Sequence, residues 1–347
     1  MENVDYIVVG DGYAALFFAH RLLRENKRFV LFSEGKKSAS QVSAGIVNPV
    51  VLKKFTTFWK AQEQINELKE TLEEITVYTG KNYLIEENIR RLFHDEKEKA
   101  LWLKKSDSEE LEGFLSKTFT TLEGVKNPYG SGQVMQSARL DVSAFFSDML
   151  GYLDRNGYLL TQRFDYELLN ASEKTYKNYR YGRLIFAEGM GVRSNPYFAA
   201  IPVHPNKGHH LVVSFSEGLE QGYTLKKKHF LFPLGGGHYY YGGTYDREQM
   251  HHEIDASAVD QLTRGLEEFY EKSYRVEHKN FGFRPTVKDR RPIIGAHKDF
   301  SDLYVFNGLG ARGILNGCYF SRILFNHLES GAELPAEVRL DRFREEV

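Results

Sequence analysis

Residues 6–23 read YIVVGDGYAALFFAHRLL, and the fold turns on this stretch. Tyr6 to Val9 is an apolar run of strand length without polar alternation, so it reads as a strand buried on both faces. Gly10-Asp11-Gly12 turns the chain. Ala14 to Leu23 continues as a helix with few polar residues, and Phe29 to Phe32 follows as a second buried strand. Strand, glycine turn, helix and strand make the first βαβ unit of a doubly wound sheet. Within the turn, Gly10, Gly12 and Ala15 form a G-x-G-x-x-A pattern. Gly10 permits the tight turn, Gly12 lets a pyrophosphate approach the backbone, and Ala15 lets the helix pack close on the sheet. The first helical turn, Tyr13 and Ala14 included, offers unpaired N–H groups and a positive dipole end to phosphates. An acidic residue about twenty positions on completes the fingerprint. Glu34 stands there, just past the second strand, and Ser33 beside it competes for the same ribose.

Outward from this unit the periodicity changes. Ala61, Ile65, Leu68, Leu72 and Ile75 place one apolar stripe on a long helix. Tyr83 to Phe93 reads as strands joined by a turn, Asp95 to Lys105 as a charged helix, and Val142 to Asn156 as an amphipathic helix ended by Gly157. Leu184 to Ala187, followed by Glu188-Gly189-Met190-Gly191, reads as a return to the first sheet. His210 to Phe215, Phe230 to Phe232 and Tyr239 to Tyr241 are strand-like, with a hairpin turn at Gly235-Gly236-Gly237. Ala258, Leu262, Leu266 and Phe269 mark a helix. Leu303 to Phe306 is a strand, Asn307 to Gly313 a glycine-rich loop, and Ile314 to Leu328 a closing helix.

Composition sets outer limits. The 347 residues suffice for two domains without disulfides or structural metal. With 46 basic and 47 acidic side chains, the net charge of -1 gives no field that advertises nucleic acid. Cys318 is the single cysteine, which agrees with a reducing cytoplasm. No signal peptide or apolar run of about 18 residues is present, so a cytoplasmic protein without a membrane partner is expected. His209-His210 and His251-His252 read poorly as a metal site: neighbours on a strand point to opposite faces, and no zinc-type spacing surrounds them. No metal is expected, and the oligomeric state stays open.

Two further segments carry a resemblance. Ser38 to Pro49 reads SASQVSAGIVNP. Phe281 to Gly295 reads FGFRPTVKDRRPIIG, followed by the strand and turn LYVFNGLGARG over 303–313. In this order, after a dinucleotide fingerprint, they resemble the D-amino-acid oxidase and glycine oxidase family. The resemblance implies an α/β fold: a Rossmann-like FAD-binding domain with an interleaved α+β substrate domain holding a mainly antiparallel sheet. The FAD-binding domain would take residues 1–50, 140–200 and 280–347, and the substrate domain 51–139 and 201–279.

The resemblance also implies roles. Ser38 and Ser40 would approach phosphate or ribose, and Ala44, Gly45 and Ile46 would run along the isoalloxazine edge. Gly189 would border the cofactor after the third strand. Gly308, Leu309, Gly310, Ala311, Arg312 and Gly313 would bring backbone N–H groups and a helix start to the flavin's pyrimidine end. Arg284, in Gly-x-Arg-Pro, would clamp a substrate carboxylate, the alternative being a structural arginine paired with Asp289 or a backbone carbonyl. The family often carries a tyrosine near Phe230 that helps hold the carboxylate. Phe230 has no hydroxyl, so Tyr241 or Tyr245 is the substitute. Some relatives attach flavin through a cysteine after this block; here Pro285-Thr286-Val287 follows, so FAD is expected to be non-covalent. The implied activity is oxidation of a C–N bond of a small amine or amino acid by hydride transfer to flavin N5, with hydrolysis of the imine. The alternatives are the same chemistry on a modified tRNA wobble uridine, or a flavin-binding protein without amine turnover.

Overall fold

A computed structural model describes residues 1–219 and 222–343. The first sheet is built on β1 (Glu2–Val9), which is followed by α1 (Tyr13–Arg24) and β2 (Phe29–Ser33). The strand after Phe32 therefore runs one residue further than its apolar core. After α2 (Ala61–Thr79) come β3 (Ile89–Leu92), α3 (Glu96–Ser106), β4 (Leu115–Thr120), β5 (Ser131–Val134) and α4 (Val142–Arg155). The chain then re-enters the first sheet through β6 (Leu159–Thr161) and β7 (Tyr179–Phe186). It continues through β8 (His204–Phe215), β9 (Thr224–Lys226), β10 (Phe230–Gly235), β11 (His238–Gly242), α5 (Ala256–Glu267) and β12 (Tyr274–Thr286). It closes with β13 (Ile293–Ala296), β14 (Leu303–Asn307) and α6 (Gly313–Ser330).

β6, β2, β1, β7 and β14 lie side by side in parallel, and β13 adds an antiparallel edge. The apolar run in β1 is explained by its two covered faces: Tyr6 and Val8 face α1 and α6, while Ile7 and Val9 face a second core with Phe164, Tyr176 and Phe198. The second large sheet runs in the order β12-β8-β11-β10-β9-β3-β5-β4 and is antiparallel except for β9 against β3. Helix α5 covers one of its faces through Leu262 and Leu266, packed on Leu211, Leu231 and Tyr241. The architecture is thus the expected α/β fold, a parallel nucleotide-type sheet interleaved with a mainly antiparallel one.

Three local readings change. Tyr83 to Phe93 does hold two strands, but they do not pair with each other: Leu84–Ile85 pairs with Ala138–Leu140, whereas β3 pairs with β5 and β9, so the arms diverge into different sheets. The polar Glu86-Glu87-Asn88 between them mimics a turn. The 13-residue β12 was not read as a strand, because charged residues interrupt its apolar positions. It crosses residue 280, so one strand of the antiparallel sheet carries the chain back towards the parallel one. Helix α2 lies within the segment expected to belong to the substrate domain, yet it packs against α1 and α6. Residues 220, 221 and 344–347 of the expected segments lie outside the described residues.

A buried ion pair ties that helix down. Arg21 on α1 donates to Glu67 (2.9 Å) and Thr71 (2.7 Å) on α2, with Arg21 and Glu67 each 5% exposed. Glu67 also pairs with Arg322 of α6 at 2.8 Å. Burial pushes the Glu67 carboxyl up, and the two guanidinium groups pull it back. Removing one partner of a buried pair leaves the other desolvated and under-compensated. Arg21→Met should therefore cost about 3 kcal/mol of stability, read as a lower urea midpoint at unchanged slope.

Candidate active site

The parallel register decides where the site lies. Val9 of β1 stands beside Phe186 of β7, which stands beside Val305 of β14. The strands leave the sheet on the same side, as expected for ligand clefts at the carboxyl ends of parallel strands. Gly10, Ala187 and Phe306 thus enter a single cleft of about 570 Å³. Gly10 has φ 120°, and a β-carbon there would lie 2.3 Å from the Ala187 carbonyl oxygen. Only glycine allows this close approach.

Two helix starts open on the cleft. Neither α1 nor α6 has a side-chain N-cap, and neither has an acidic residue in its first turn. Each leaves backbone N–H groups and a positive dipole end for an anionic ligand. At α1 the Tyr13 N–H reaches Ser40 Oγ at 3.3 Å. A β-carbon on Gly12 would sit 3.0 Å from the same oxygen, so the bare glycine keeps the cleft floor open. Tyr13 and Ala14 line this end, with Ser38, Ala44, Gly45 and Ile46 opposite and Gly189 at the exit of β7. Leu309, Gly310, Ala311, Arg312 and Gly313 line the other end. A groove joining two uncapped helix starts through small residues fits a dinucleotide carrying a second ring system.

Other expected cofactor residues sit elsewhere. Ala15 is fully buried beneath α1, where it packs rather than contacts. Ser33 is buried, and its hydroxyl donates to Asp11 Oδ2 at 2.6 Å. Glu34 is outside the cleft lining, exposed and paired with Lys36 (3.0 Å) and Arg163 (3.5 Å). Asp11, the variable residue inside the glycine motif, and Glu188 are the carboxylates that line this end instead. Burial raises the Asp11 pKa, and the Ser33 hydrogen bond opposes that. Gly308 forms the turn, φ 72°, behind the lining residues.

Arg284 enters from β12, paired in register with Asn206 of β8. Its Nη1 donates to the Thr244 carbonyl (3.0 Å) and to Asn206 Oδ1 (3.3 Å). The guanidinium lies flat across Gly208, where a β-carbon would fall 2.3 Å from both terminal nitrogens. Tyr245 covers it, with its ring 4.4 Å from the guanidinium carbon. Of the two structural partners expected as alternatives, Asp289 pairs instead with Arg342 at 2.9 Å, whereas a backbone carbonyl, that of Thr244, does accept from Arg284 and leaves its charge uncompensated. Among the described residues no carboxylate forms an ion pair with Arg284.

The tyrosine expectation is corrected in part. Tyr245 is at the cleft mouth, 68% exposed. Tyr241 faces α5 and is fully buried, on the opposite side of the sheet from the cleft. Strand alternation sends Tyr240 into the cleft instead. Its ring is stacked between Phe232 (4.7 Å) and His210 (4.5 Å). A β-carbon on Gly243 would lie 3.0 Å from Arg284 Nη2 and 3.5 Å from Tyr240 Oη, so the two groups converge on one point. His210 and Tyr240 are the residues that sequence reasoning missed. Their signal is positional: Asn206, Gly208 and His210 share a face with Arg284 only once the register of β8 with β12 is known. His209 turns the other way, with Nε2 3.3 Å from Asp255 Oδ2. Cys318 is buried against Arg21 and the Glu67 carbonyl, away from the cleft.

Comparison with known proteins agrees with this geometry. The family described as FAD dependent oxidoreductase (DAO) matches residues 5–326. Glycine oxidase from Geobacillus kaustophilus superposes with a TM-score of 0.80 at 18% identity, covering 96% of each chain. Iminodiacetate oxidase from Chelativorans sp. BNC1 gives 0.79 at 16% identity, over 97% of this chain and 98% of that one. L-proline dehydrogenase from P. horikoshii gives 0.76 at 14% identity, over 99% and 98%. No helix among the described residues is long and apolar enough to cross a membrane.

Gly12 has an ordinary φ of -81°, so a larger residue there fills the cleft without straining the backbone. Gly12→Val should purify folded, with an unchanged far-ultraviolet circular dichroism spectrum, but with its absorbance near 450 nm lost relative to that of the wild type. A yellow Gly12→Val protein with full flavin content would refute the placement of the dinucleotide on this glycine.

Proposed function

The chain belongs to the DAO family of FAD-dependent oxidoreductases, and on that premise we propose that it oxidises the C–N bond of a small amine or amino acid bearing a carboxylate. The observation that carries this reading is Arg284: a guanidinium held flat in the cleft, without an ion-pair partner, with the Tyr240 hydroxyl converging on it. A planar guanidinium presents a bidentate face to a carboxylate. Tyr240 stays protonated, because burial raises its pKa, so its hydroxyl can donate to the same carboxylate. Phe230 and Tyr240 supply apolar walls that limit the substrate to a small side chain. Three of the similar structures bear the names of enzymes for glycine, iminodiacetate and L-proline, all small carboxylated amines.

The residues at the two helix starts would hold FAD: the N–H groups after Gly12 at its pyrophosphate, and the start of α6 at the pyrimidine end of its ring. Bound FAD supplies the acceptor for the hydride from the substrate's α-carbon. With the only cysteine buried away from the cleft, we assign non-covalent binding. Arg284 and Tyr240 fix the carboxylate and thereby orient the α-carbon, an effect that acts on rate through position rather than through bond making. Water hydrolyses the imine left behind. Segments 1–50, 140–200 and 280–347 would then mainly serve the cofactor, and 51–139 with 201–279 the substrate, except that α2 packs with the cofactor helices and that Arg284 reaches the substrate from beyond residue 280.

The test is anaerobic flavin bleaching by a panel of amines and D- and L-amino acids. Bleaching by a carboxylated amine, and not by the matching amine without a carboxylate, is the expected pattern. Arg284→Met should raise KM for that substrate about 100-fold, the worth of a charge-assisted hydrogen-bonded pair. Tyr240→Phe should cost about 5- to 10-fold, the worth of one neutral hydrogen bond. A protein that binds FAD and is bleached by none of the panel would overturn the proposal.

A further inference from the structure

We propose that His210 accepts the proton that the substrate's ammonium group must lose before its C–N bond is oxidised. The inference rests on the amine-oxidising reading of the site. An amino acid arrives as a zwitterion, and its α-hydrogen leaves as hydride only when the nitrogen has a free lone pair to form the C=N bond. The step is a proton transfer alone. One N–H bond breaks, its electron pair stays on nitrogen, and the proton passes to the imidazole, which later returns it to water.

The position of His210 suits that step. It lies two residues beyond Gly208, on the same face of β8, and that glycine carries the Arg284 guanidinium. Its cross-strand partner is Gly242, where a β-carbon would fall 2.4 Å from His210 Cβ. The missing side chain gives the imidazole its room. The ring stacks on Tyr240 and lines the cleft. No described residue hydrogen-bonds either of its nitrogens. A base must be within hydrogen-bond reach of its proton, and a substrate held by its carboxylate on Arg284 would carry its amine two bonds from that carboxylate, within the cleft that this ring also lines.

The surrounding charges set when it works. The His210 pKa is pushed down to about 4, by burial first, then by Arg284 and His209. The groups facing it are Arg284 from β12, Tyr240 from β11, and His209 on its own strand. None is a carboxylate. The ring is therefore neutral in the free enzyme above about pH 4 and has a lone pair to offer. A substrate carboxylate on Arg284 cancels the repulsion from that guanidinium and raises the basicity of His210 as the ammonium arrives. Of the other candidates, His252 lines the cleft with its ring against Phe281 and Phe283 of β12, and three more are engaged. Glu188 is bonded by Tyr166 and Asn195, Asp11 by Ser33, and both His209 nitrogens by Thr244 and the Asp255 backbone.

The test compares wild-type holoenzyme with His210→Phe, which keeps an aromatic ring on Tyr240 but has no lone pair. Anaerobic flavin reduction is followed from pH 5 to 10 with glycine, iminodiacetate and L-proline. Binding of acetate, a carboxylate without an amine, is followed by its perturbation of the flavin spectrum. In His210→Phe the rising limb of the rate should move towards the range of a free alkylamine, about pH 10. Reduction should be at least about tenfold slower at pH 7 and recover at the highest pH, with acetate affinity within twofold of wild type. An unshifted pH profile overturns the assignment. So does a slowing that is uniform with pH and accompanied by weaker acetate binding, which is the mark of a packing role. Any amine of the wider panel that bleaches wild-type enzyme can replace these three, and if none of that panel does, the amine reading falls and His210 falls with it.

Discussion

Val9, Phe186 and Val305 stand in one row across three parallel strands, and the site depends on that row. They come from the start, middle and end of the chain. Because the strands run the same way and share a register, the residues that follow them emerge together. Gly10 then turns into α1, Ala187 closes against Gly10, and Asn307 leads to the loop before α6. The two helices lie directly against each other: a β-carbon on Gly317 would be 3.1 Å from Tyr13 Cβ. Sheet register and helix contact thus over-determine the spacing of the two helix starts. No side chain in the cleft has to hold them there.

Electrostatics divides the same cleft in two. At the β1 and β7 end the acids Asp11 and Glu188 are satisfied by neutral donors, Ser33 for one and Tyr166 with Asn195 for the other. Burial raises both carboxyl pKa values, which reduces their repulsion of a pyrophosphate nearby. At the β12 end the guanidinium of Arg284 is tied only to neutral oxygens, so its charge is not cancelled. Arg312 rests over Phe58 at 4.5 Å, and burial lowers its pKa. An uncompensated cation in a half-enclosed cleft is costly unless a ligand supplies the anion. The acids and the arginines therefore do different work, although the net charge of the chain is near zero.

What the sequence made legible follows from how each element is buried. β1 with its glycine turn was readable because two covered faces and a steric requirement leave few alternatives for four apolar residues and two glycines. The helix stripe from Ala61 to Ile75 was readable because one face is solvated and the period is visible. Tyr239-Tyr240-Tyr241 was readable as a strand but not in phase. Three identical residues carry no alternation, and only the packing of Leu231 and Leu211 on α5 shows that Tyr241 points inward and Tyr240 towards the cleft. His210 was hidden for a related reason. Beside His209 it reads as half of a metal pair, which strand geometry excludes, and nothing local gives the ring another partner. The missing piece was the pairing of β8 with β12, a contact between segments more than sixty positions apart that no local pattern encodes.

The strand β12 joins the two halves mechanically. Its residues to Thr286 are held by β8, and after Val287 the chain turns, with Asp289 fixed by Arg342, into β13 and β14 of the parallel sheet. Arg284 thus lies two residues before the crossing from one sheet to the other. A rigid strand transmits displacement along its length better than a loop does, so any shift of the antiparallel sheet relative to the parallel one moves Arg284 relative to the start of α6. The ladder of β12 with β8 ends at Thr286, and residues 287–292 alone link it to β13, which pairs with β14. If Arg284 and Tyr240 act through position alone, as proposed, the demand on shape falls on this short connection, and the Asp289–Arg342 pair that fixes it matters to the site although it lies outside the cleft.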